Sequence, residues 1–141
     1  MVVKTKHSEV IFGSDCWDAL NSCVNANAYS VVFVLTDNNT SLHCLPYANT
    51  KIQFEYKTLE MQAGEENKHI QSCVSLWDSL SEMGADRKSL LINIGGGVVT
   101  DLGGFVACTF KRGIDFINIP TSLLAMVDAS VGGKTGVDLG V

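Results

Sequence analysis

Three consecutive glycines, Gly95-Gly96-Gly97, stand between an apolar run and a second apolar stretch that carries Asp101. At a strand-to-helix turn, glycines let the chain bend tightly and let backbone N–H groups approach a pyrophosphate at the helix N-terminus. The spacing is not G-x-G-x-x-G, so on these residues alone phosphate binding and a packing turn stand level. Asp101 falls about one turn into the following helix, with its carboxylate towards the ligand side; favourable placement near a helix N-terminus explains it as well. Glu65 and Lys68 are spaced i,i+3 in what reads as the first turn of a helix. They are either a ribose-hydroxyl acceptor with a nearby cation or an exposed ion pair contributing ~0.3 kcal/mol. Asp37, with Asn39 behind it, ends an apolar run as a ribose-gripping acid does, and a turn accounts for Asp and Asn equally.

The last third of the chain is apolar and glycine-rich, which makes its polar residues conspicuous: Arg112, Asp128 and Lys134. Arg112 precedes Gly113 at a turn, where solvation alone could explain it. Asp128 is expected at the end of an apolar helix, where a negative charge is electrostatically unfavourable and so calls for a reason. Gly132-Gly133-Lys134-Thr135-Gly136 lacks the G-x-x-x-x-G-K-[ST] spacing, which excludes an ATP-binding P-loop. Five cysteines without a C-x-x-C pair or a histidine at ligand spacing read as free thiols, not as a disulfide framework or zinc site. His7, His43 and His69 read as surface or turn residues. A net charge of −5 with no Lys/Arg run argues against a nucleic-acid partner. No signal-peptide core or membrane-length apolar run is present, so a cytoplasmic protein without a membrane partner is expected.

These residues need elements to position them. Val10-Ile11-Phe12 predicts a short strand, followed by a turn in which Ser14 or Asp15 caps a helix placing Trp17, Leu20, Cys23 and Val24 on one face. The β-branched run Ser30-Val31-Val32-Phe33-Val34-Leu35 predicts a buried parallel strand. Leu42 to Ala48 reads as a short helix containing Pro46, and Ile52-Gln53-Phe54-Glu55-Tyr56 alternates like a half-exposed strand. A long helix is expected from Gly64, carrying Ile70, Cys73, Val74, Trp77, Leu80 and Met83 before Gly84 ends it. A strand over 89–94, a helix through Asp101 to Cys108, a strand over 116–120 and a helix over 122–128 complete the order. Strict alternation implies βαβ units: one α/β domain over 1–141, a Rossmann-like, mostly parallel sheet flanked by helices. Ligands bind beyond the carboxyl ends of such strands, and the turns at 37–39, 64–68, 95–101 and 121–122 all occupy that position.

In order and spacing, several segments resemble the 3-dehydroquinate synthase family of sugar phosphate cyclases. They are Gly95 through Phe105, Lys111-Arg112-Gly113, Ile119-Pro120-Thr121-Ser122-Leu123-Leu124-Ala125-Met126-Val127-Asp128 and Gly132-Gly133-Lys134-Thr135-Gly136, with sparser matches back to Asp37 and Asn39. The resemblance implies an enzyme taking 3-deoxy-D-arabino-heptulosonate 7-phosphate to 3-dehydroquinate in the shikimate pathway. Such enzymes use NAD catalytically with a divalent metal, zinc or cobalt. It implies that Asp37, Asn39, Glu65 and Lys68 hold the adenosine end of NAD, and that Gly96, Gly97 and Val98 approach its pyrophosphate. Asp101 would face the nicotinamide, Thr121 and Ser122 would complete the cofactor site, and Arg112, Asp128 and Lys134 would contact the sugar phosphate. Family members are commonly homodimers. Three positions depart from the pattern: Thr100 stands where Gly is usual, Gly103 where Ala is common, and Ser122 where Thr is common. The family's helical C-terminal domain, with its metal-binding Glu and two His, is expected to lie outside these residues, leaving this chain without catalytic metal or turnover. Competing expectations are a 2-deoxy-scyllo-inosose synthase-like cyclase, a glycerol or iron-type alcohol dehydrogenase, and a nucleotide-binding module without chemistry.

Overall fold

The computed structural model describes residues 1–6, 8–131 and 134–139. A four-stranded, all-parallel sheet organises the chain, in the order β4 (Lys57–Met61), β3 (Val32–Asp37), β5 (Leu90–Gly95) and β6 (Asp115–Pro120). The unbroken apolar runs of β3 and β5 follow from burial on both faces. With a side-chain period of two, Val32 and Val34 join Leu90, Ile92 and Ile94 under α1 (Cys16–Asn27) and α3 (Leu45–Asn49). Phe33, Leu35 and Leu91 point the other way, under α4 (Ile70–Glu82) and α5 (Gly97–Thr109). Each such side chain, fully buried, contributes about 1.5–3 kcal/mol. The expected α/β architecture is therefore the observed one.

Several boundaries differ for identifiable reasons. The alternating stretch Ile52, Phe54 and Tyr56 is no strand; it packs against the α1–α3 face, and β4 begins only at Lys57. Its phase then shifts, sending Leu59 and Met61 to the opposite face. Alternation reveals faces, and only register with a neighbour makes a strand; here Asp37 pairs Met61. The expected strand at Val10 exists as β2 (Glu9–Ile11), paired antiparallel with β1 (Val2–Lys4), a partner with no periodic signal of its own. Asp15 stands at the N-cap of α1, but its side chain makes no capping bond.

The long helix does not open at Gly64. Gly64 takes φ +113°, a 3₁₀ turn spans Glu65–Asn67, and α4 starts at Ile70 with His69 as its N-cap. The His69 Nδ1 accepts from the Ser72 N–H at 3.2 Å, which gives this histidine a structural job. At the other end Gly84 does terminate the helix. Ala85 N–H donates to Leu80 C=O at 2.9 Å and Gly84 N–H to Ser81 C=O at 3.2 Å, the paired bonds of a left-handed C-cap. After β6, the expected helix is present over 123–129, and its last part, Ala125–Ala129, is π-helical with only Ala125 buried. Leu123, Leu124, Met126 and Val127 are exposed, so the apolar pattern there does not mark a core face of this chain.

Candidate functional site

Because every strand of the sheet runs the same way, the turns that follow them collect along one edge. Gly95 pairs Pro120 and Asp37 pairs Met61, so the four sequence-predicted turns leave the sheet side by side. Cross-links fix their spacing. Thr40 Oγ1 donates to Ile94 C=O at 3.0 Å, Ala63 N–H donates to Asn38 Oδ1 at 2.7 Å, and Thr121 N–H donates to Gly95 C=O at 2.9 Å. Asn38 and Thr40 carried no signal in the sequence beyond turn composition.

Asp37 is the cap of α2 (Asn38–His43). Its Oδ1 accepts from Asn39 N–H at 2.9 Å and Thr40 N–H at 2.7 Å, while Asp37 N–H donates to Thr40 Oγ1 at 3.0 Å. Turn formation thus explains one of its oxygens, and Asn39 is exposed beside it. The two roles separate by mutation. Asp37→Asn keeps a good capping acceptor and should leave the melting temperature nearly unchanged, whereas Asp37→Ala should cost about 1 kcal/mol in urea unfolding. Equal destabilisation by both would show that the carboxylate's charge, not the cap, holds this turn.

At the glycine turn, Gly96 is the N-cap of α5 and no side chain caps the helix. Its first N–H groups are therefore open to an anion, reinforced by the positive end of the helix dipole. A Cβ on Gly96 would meet Ser122 Oγ at 3.4 Å, and one on Gly97 would meet the Ala129 Cβ at 3.7 Å, so the loop after β6 forms the other wall. Gly95 serves packing instead, since a Cβ there would lie 2.5 Å from that of Val99. Val98 is half-buried against the α4–α5 core, leaving its backbone as the part that borders the cradle. Thr100, the departure from the family pattern, does not enter the cradle. Its hydroxyl donates back to Gly96 C=O at 3.1 Å, and the residue is buried.

Lys68 joins the second turn to α5. Its ammonium lies 2.7 Å from Glu65 and 3.6 Å from Asp101, with the Lys68 side chain 16% exposed. The hydrogen bond to Glu65 raises the Lys68 pKa, opposed by desolvation and assisted by Asp101 and Asp138. Burial pushes the Asp101 carboxyl up, Lys68 pulls it down, and Glu65 and Asp128 push it up again. Of the two readings of this pair, the exposed ion bridge does not describe it: Lys68 is only 16% exposed and belongs to a partly buried network that reaches Asp101 and senses Asp128. Thr121 and Ser122 are exposed at the end of β6, with Ser122 Oγ accepting from Ala125 N–H at 3.3 Å.

The substrate candidates are divided. Asp128 is exposed on the π-helical turn near Asp101, and Lys134 is exposed in the following segment; Gly132 and Gly133 of its motif lie outside the described residues. Arg112 is not brought to this edge. It precedes β6, at the opposite end of roughly 17 Å of strand. There it lines a shallow depression of about 610 Å³ with Asp86, Arg87, Lys88 and Lys111, a cationic patch that the fold assembles from two separate segments, 86–88 and 111–112. Lys111 and Arg112 both take positive φ, +48° and +71°. Among the described residues, no three His, Cys, Asp or Glu side chains converge to hold a metal ion. Nor is any described helix long and apolar enough to cross a membrane.

A family model, 3-dehydroquinate synthase N-terminal, matches residues 58–141. The 3-dehydroquinate synthase of Parabacteroides distasonis is 45% identical over 131 residues, which are 92% of this chain. The chain spans 37% of that relative's length. Among solved structures, 2-deoxy-scyllo-inosose synthase complexed with carbaglucose-6-phosphate, NAD+ and Co2+ superposes with a TM-score of 0.81 at 24% identity, covering 93% of this chain and 37% of that one. The 2-epi-5-epi-valiolone synthase of Streptomyces hygroscopicus subsp. jinggangensis 5008, with NAD+ and Zn2+ bound, has a TM-score of 0.73 at 27% identity and covers 82% of this chain and 33% of that one.

Proposed function

The chain belongs to the 3-dehydroquinate synthase family, and from that membership we infer that its residues 1–141 form the NAD-binding domain of an enzyme converting 3-deoxy-D-arabino-heptulosonate 7-phosphate to 3-dehydroquinate and phosphate. The observation that carries this reading is the uncapped N-terminus of α5, set between glycines at the edge where four turns meet. The residues fit a dinucleotide. Backbone N–H groups at Gly97 and Val98 receive the pyrophosphate, and Thr121 and Ser122 close over it from the β6 side. Asp37, through the oxygen its cap leaves free, binds the adenosine end together with Asn39, Glu65 and Lys68. Asp101, one turn further along α5, faces the nicotinamide. NAD held there would supply a reversible hydride acceptor, and the chain's own residues would bind and orient it.

Asp128 and Lys134 face the sugar phosphate, where the ammonium suits an anionic group. Arg112 stands at the far end of its own sheet, so its contact with substrate requires a second copy of the chain, in keeping with the homodimers common in the family. A zinc or cobalt ion does not fit the described residues, among which no three His, Cys, Asp or Glu side chains converge. The 141 residues by themselves bind NAD and turn over no substrate.

Titration of the chain with NAD+, read by calorimetry and by the rise in melting temperature, tests the reading. Gly96 takes φ −79° and ψ −164°, a conformation open to any residue, so Gly96→Val should fold while filling the cradle. Saturable binding by the wild type, lost at least tenfold in Gly96→Val, is expected. Unchanged affinity in that variant would move the cofactor elsewhere, and dehydroquinate formation by the chain alone would overturn the division of labour.

A further inference from the structure

The turns at 37–39, 64–68, 95–101 and 121–122 carry four carboxylates, Asp37, Glu65, Glu66 and Asp101, and a single Lys or Arg, Lys68. The fold gathers them. Asn38 Oδ1 accepts from Ala63 N–H at 2.7 Å, and Asn67 Nδ2 donates to Ala63 C=O at 2.8 Å. Two side-chain amides thus grip one residue and lock the second turn beside the first. Just beyond Ala63 the Glu66 carboxylate folds back over Gly64, where a Cβ would lie 2.6 Å from Glu66 Oε1. The one cation is already engaged. Lys68 Nζ lies 2.7 Å from Glu65 Oε1 and 3.6 Å from Asp101 Oδ2.

We propose that this edge selects a dinucleotide with a free ribose 2′-hydroxyl over one with a 2′-phosphate, and that Glu65 is the specificity-determining residue because it occupies the Lys68 ammonium. The inference rests on the reading of Asp37, Asn39, Glu65 and Lys68 as the adenosine end of the cofactor site. A ribose hydroxyl donates to a carboxylate, whereas a 2′-phosphate brings a charge of about −2 and needs an unengaged Arg or Lys. These turns offer it carboxylates and no spare cation. The pyrophosphate makes no claim on Lys68, because the open N–H groups of α5 receive it. Selection therefore comes from a like charge set against the wrong ligand. Removing the Glu65 charge leaves Lys68 only its longer contact with Asp101, and an ammonium so released pairs with phosphate.

Calorimetric titration of the 141-residue chain with NAD+ and with NADP+ reads the selection as a ratio of two affinities, which a general weakening of the site leaves unmoved. The wild type should bind NAD+ tighter than NADP+ by about tenfold or more. That gap should narrow with added salt, because the Debye length falls from about 8 Å at 0.15 M to about 3 Å at 1 M. Glu65→Gln alters a side chain that is 66% exposed and should fold. It should shrink the ratio by roughly three- to tenfold, chiefly by tightening NADP+. In Lys68→Met, which has no ammonium to release, the same Glu65→Gln change should shrink it by about twofold or less. Equal wild-type affinities for the two dinucleotides overturn the selection. A gap that salt does not change assigns it to shape and overturns the charge argument. A ratio unmoved in Glu65→Gln overturns the role of Glu65, and equal relief with and without Lys68 overturns the route through the ammonium. A wild type that binds neither dinucleotide overturns the cofactor reading, and the selection falls with it.

Discussion

Gly103→Ala is expected to destabilise the domain by about 2 kcal/mol, a fall of roughly 5–8 °C in melting temperature. A methyl group at 103 would place its carbon 2.0 Å from Asn93 Oδ1 and 2.4 Å from Asn93 Cγ. Asn93 cannot easily move aside. It is fully buried on β5, its Nδ2 donates to Asn118 Oδ1 at 3.0 Å across the parallel register, and its Oδ1 has no hydrogen-bond partner among the described residues. Shifting the side chain would break the one bond it makes and leave a second buried polar group unsatisfied. Opposing this is the better helix propensity of alanine, worth about 1 kcal/mol, so a stability change near zero would mean that the helix had moved outward instead. The double variant Asn93→Ala/Gly103→Ala separates these possibilities. Two methyls fit where a glycine and an asparagine met, and the helix gain then stands unopposed. The pair should melt at or above the wild type, with a coupling energy of 1 kcal/mol or more by a double-mutant cycle. Additive losses would sink the idea that these positions are matched.

This matched pair also shows where reading a sequence stops. Alanine is common at 103 in the family, and the glycine here looks like a stray departure until the fold sets Asn93 against it. The sheet was legible because β3 and β5 are so apolar that only burial on both faces explains them. The glycine turn was legible because it lies between two such runs. What stayed hidden depends on register and distance. Ile52, Phe54 and Tyr56 alternate as a strand does, yet the pairing strand is the next segment. Thr100 puts a side chain where glycine is usual, yet its hydroxyl turns back to Gly96. Arg112 belongs to the family pattern, but parallel topology sends it to the far end of the sheet from Asp128 and Lys134. Lys68 and Glu65 sit three residues apart, which announces a pair; the third member, Asp101, comes from a helix over thirty residues away.

That network leads to the second large effect. Lys68→Met is expected to cost about 2 kcal/mol at neutral pH, between the value of a surface pair and that of a buried one. The Lys68 side chain is 16% exposed and that of Asp101 25% exposed, so removing the cation leaves a largely desolvated carboxylate without its attraction. The pH dependence follows from the sign of the shift. Burial raises the Asp101 pKa in the folded chain above its unfolded value, and Lys68 opposes that rise. A raised carboxyl binds more protons folded than unfolded, so stability falls as pH rises from the unfolded pKa through the folded one. Without Lys68 the folded pKa climbs further, the window widens and the loss above it grows. The deficit of Lys68→Met should therefore be largest near pH 7 and shrink as pH falls through the range where Asp101 protonates. Lys68 adds no opposing trend there, because its own raised pKa keeps it charged throughout. Thermal melts from pH 4 to pH 8 read this directly; a deficit independent of pH would assign the loss to the packing of the lysine stem. Asp101→Asn in the Lys68→Met background should restore much of the stability at pH 7 by removing the stranded charge. On the proposed cofactor reading it should restore none of the NAD+ affinity, because that reading assigns both groups to the dinucleotide.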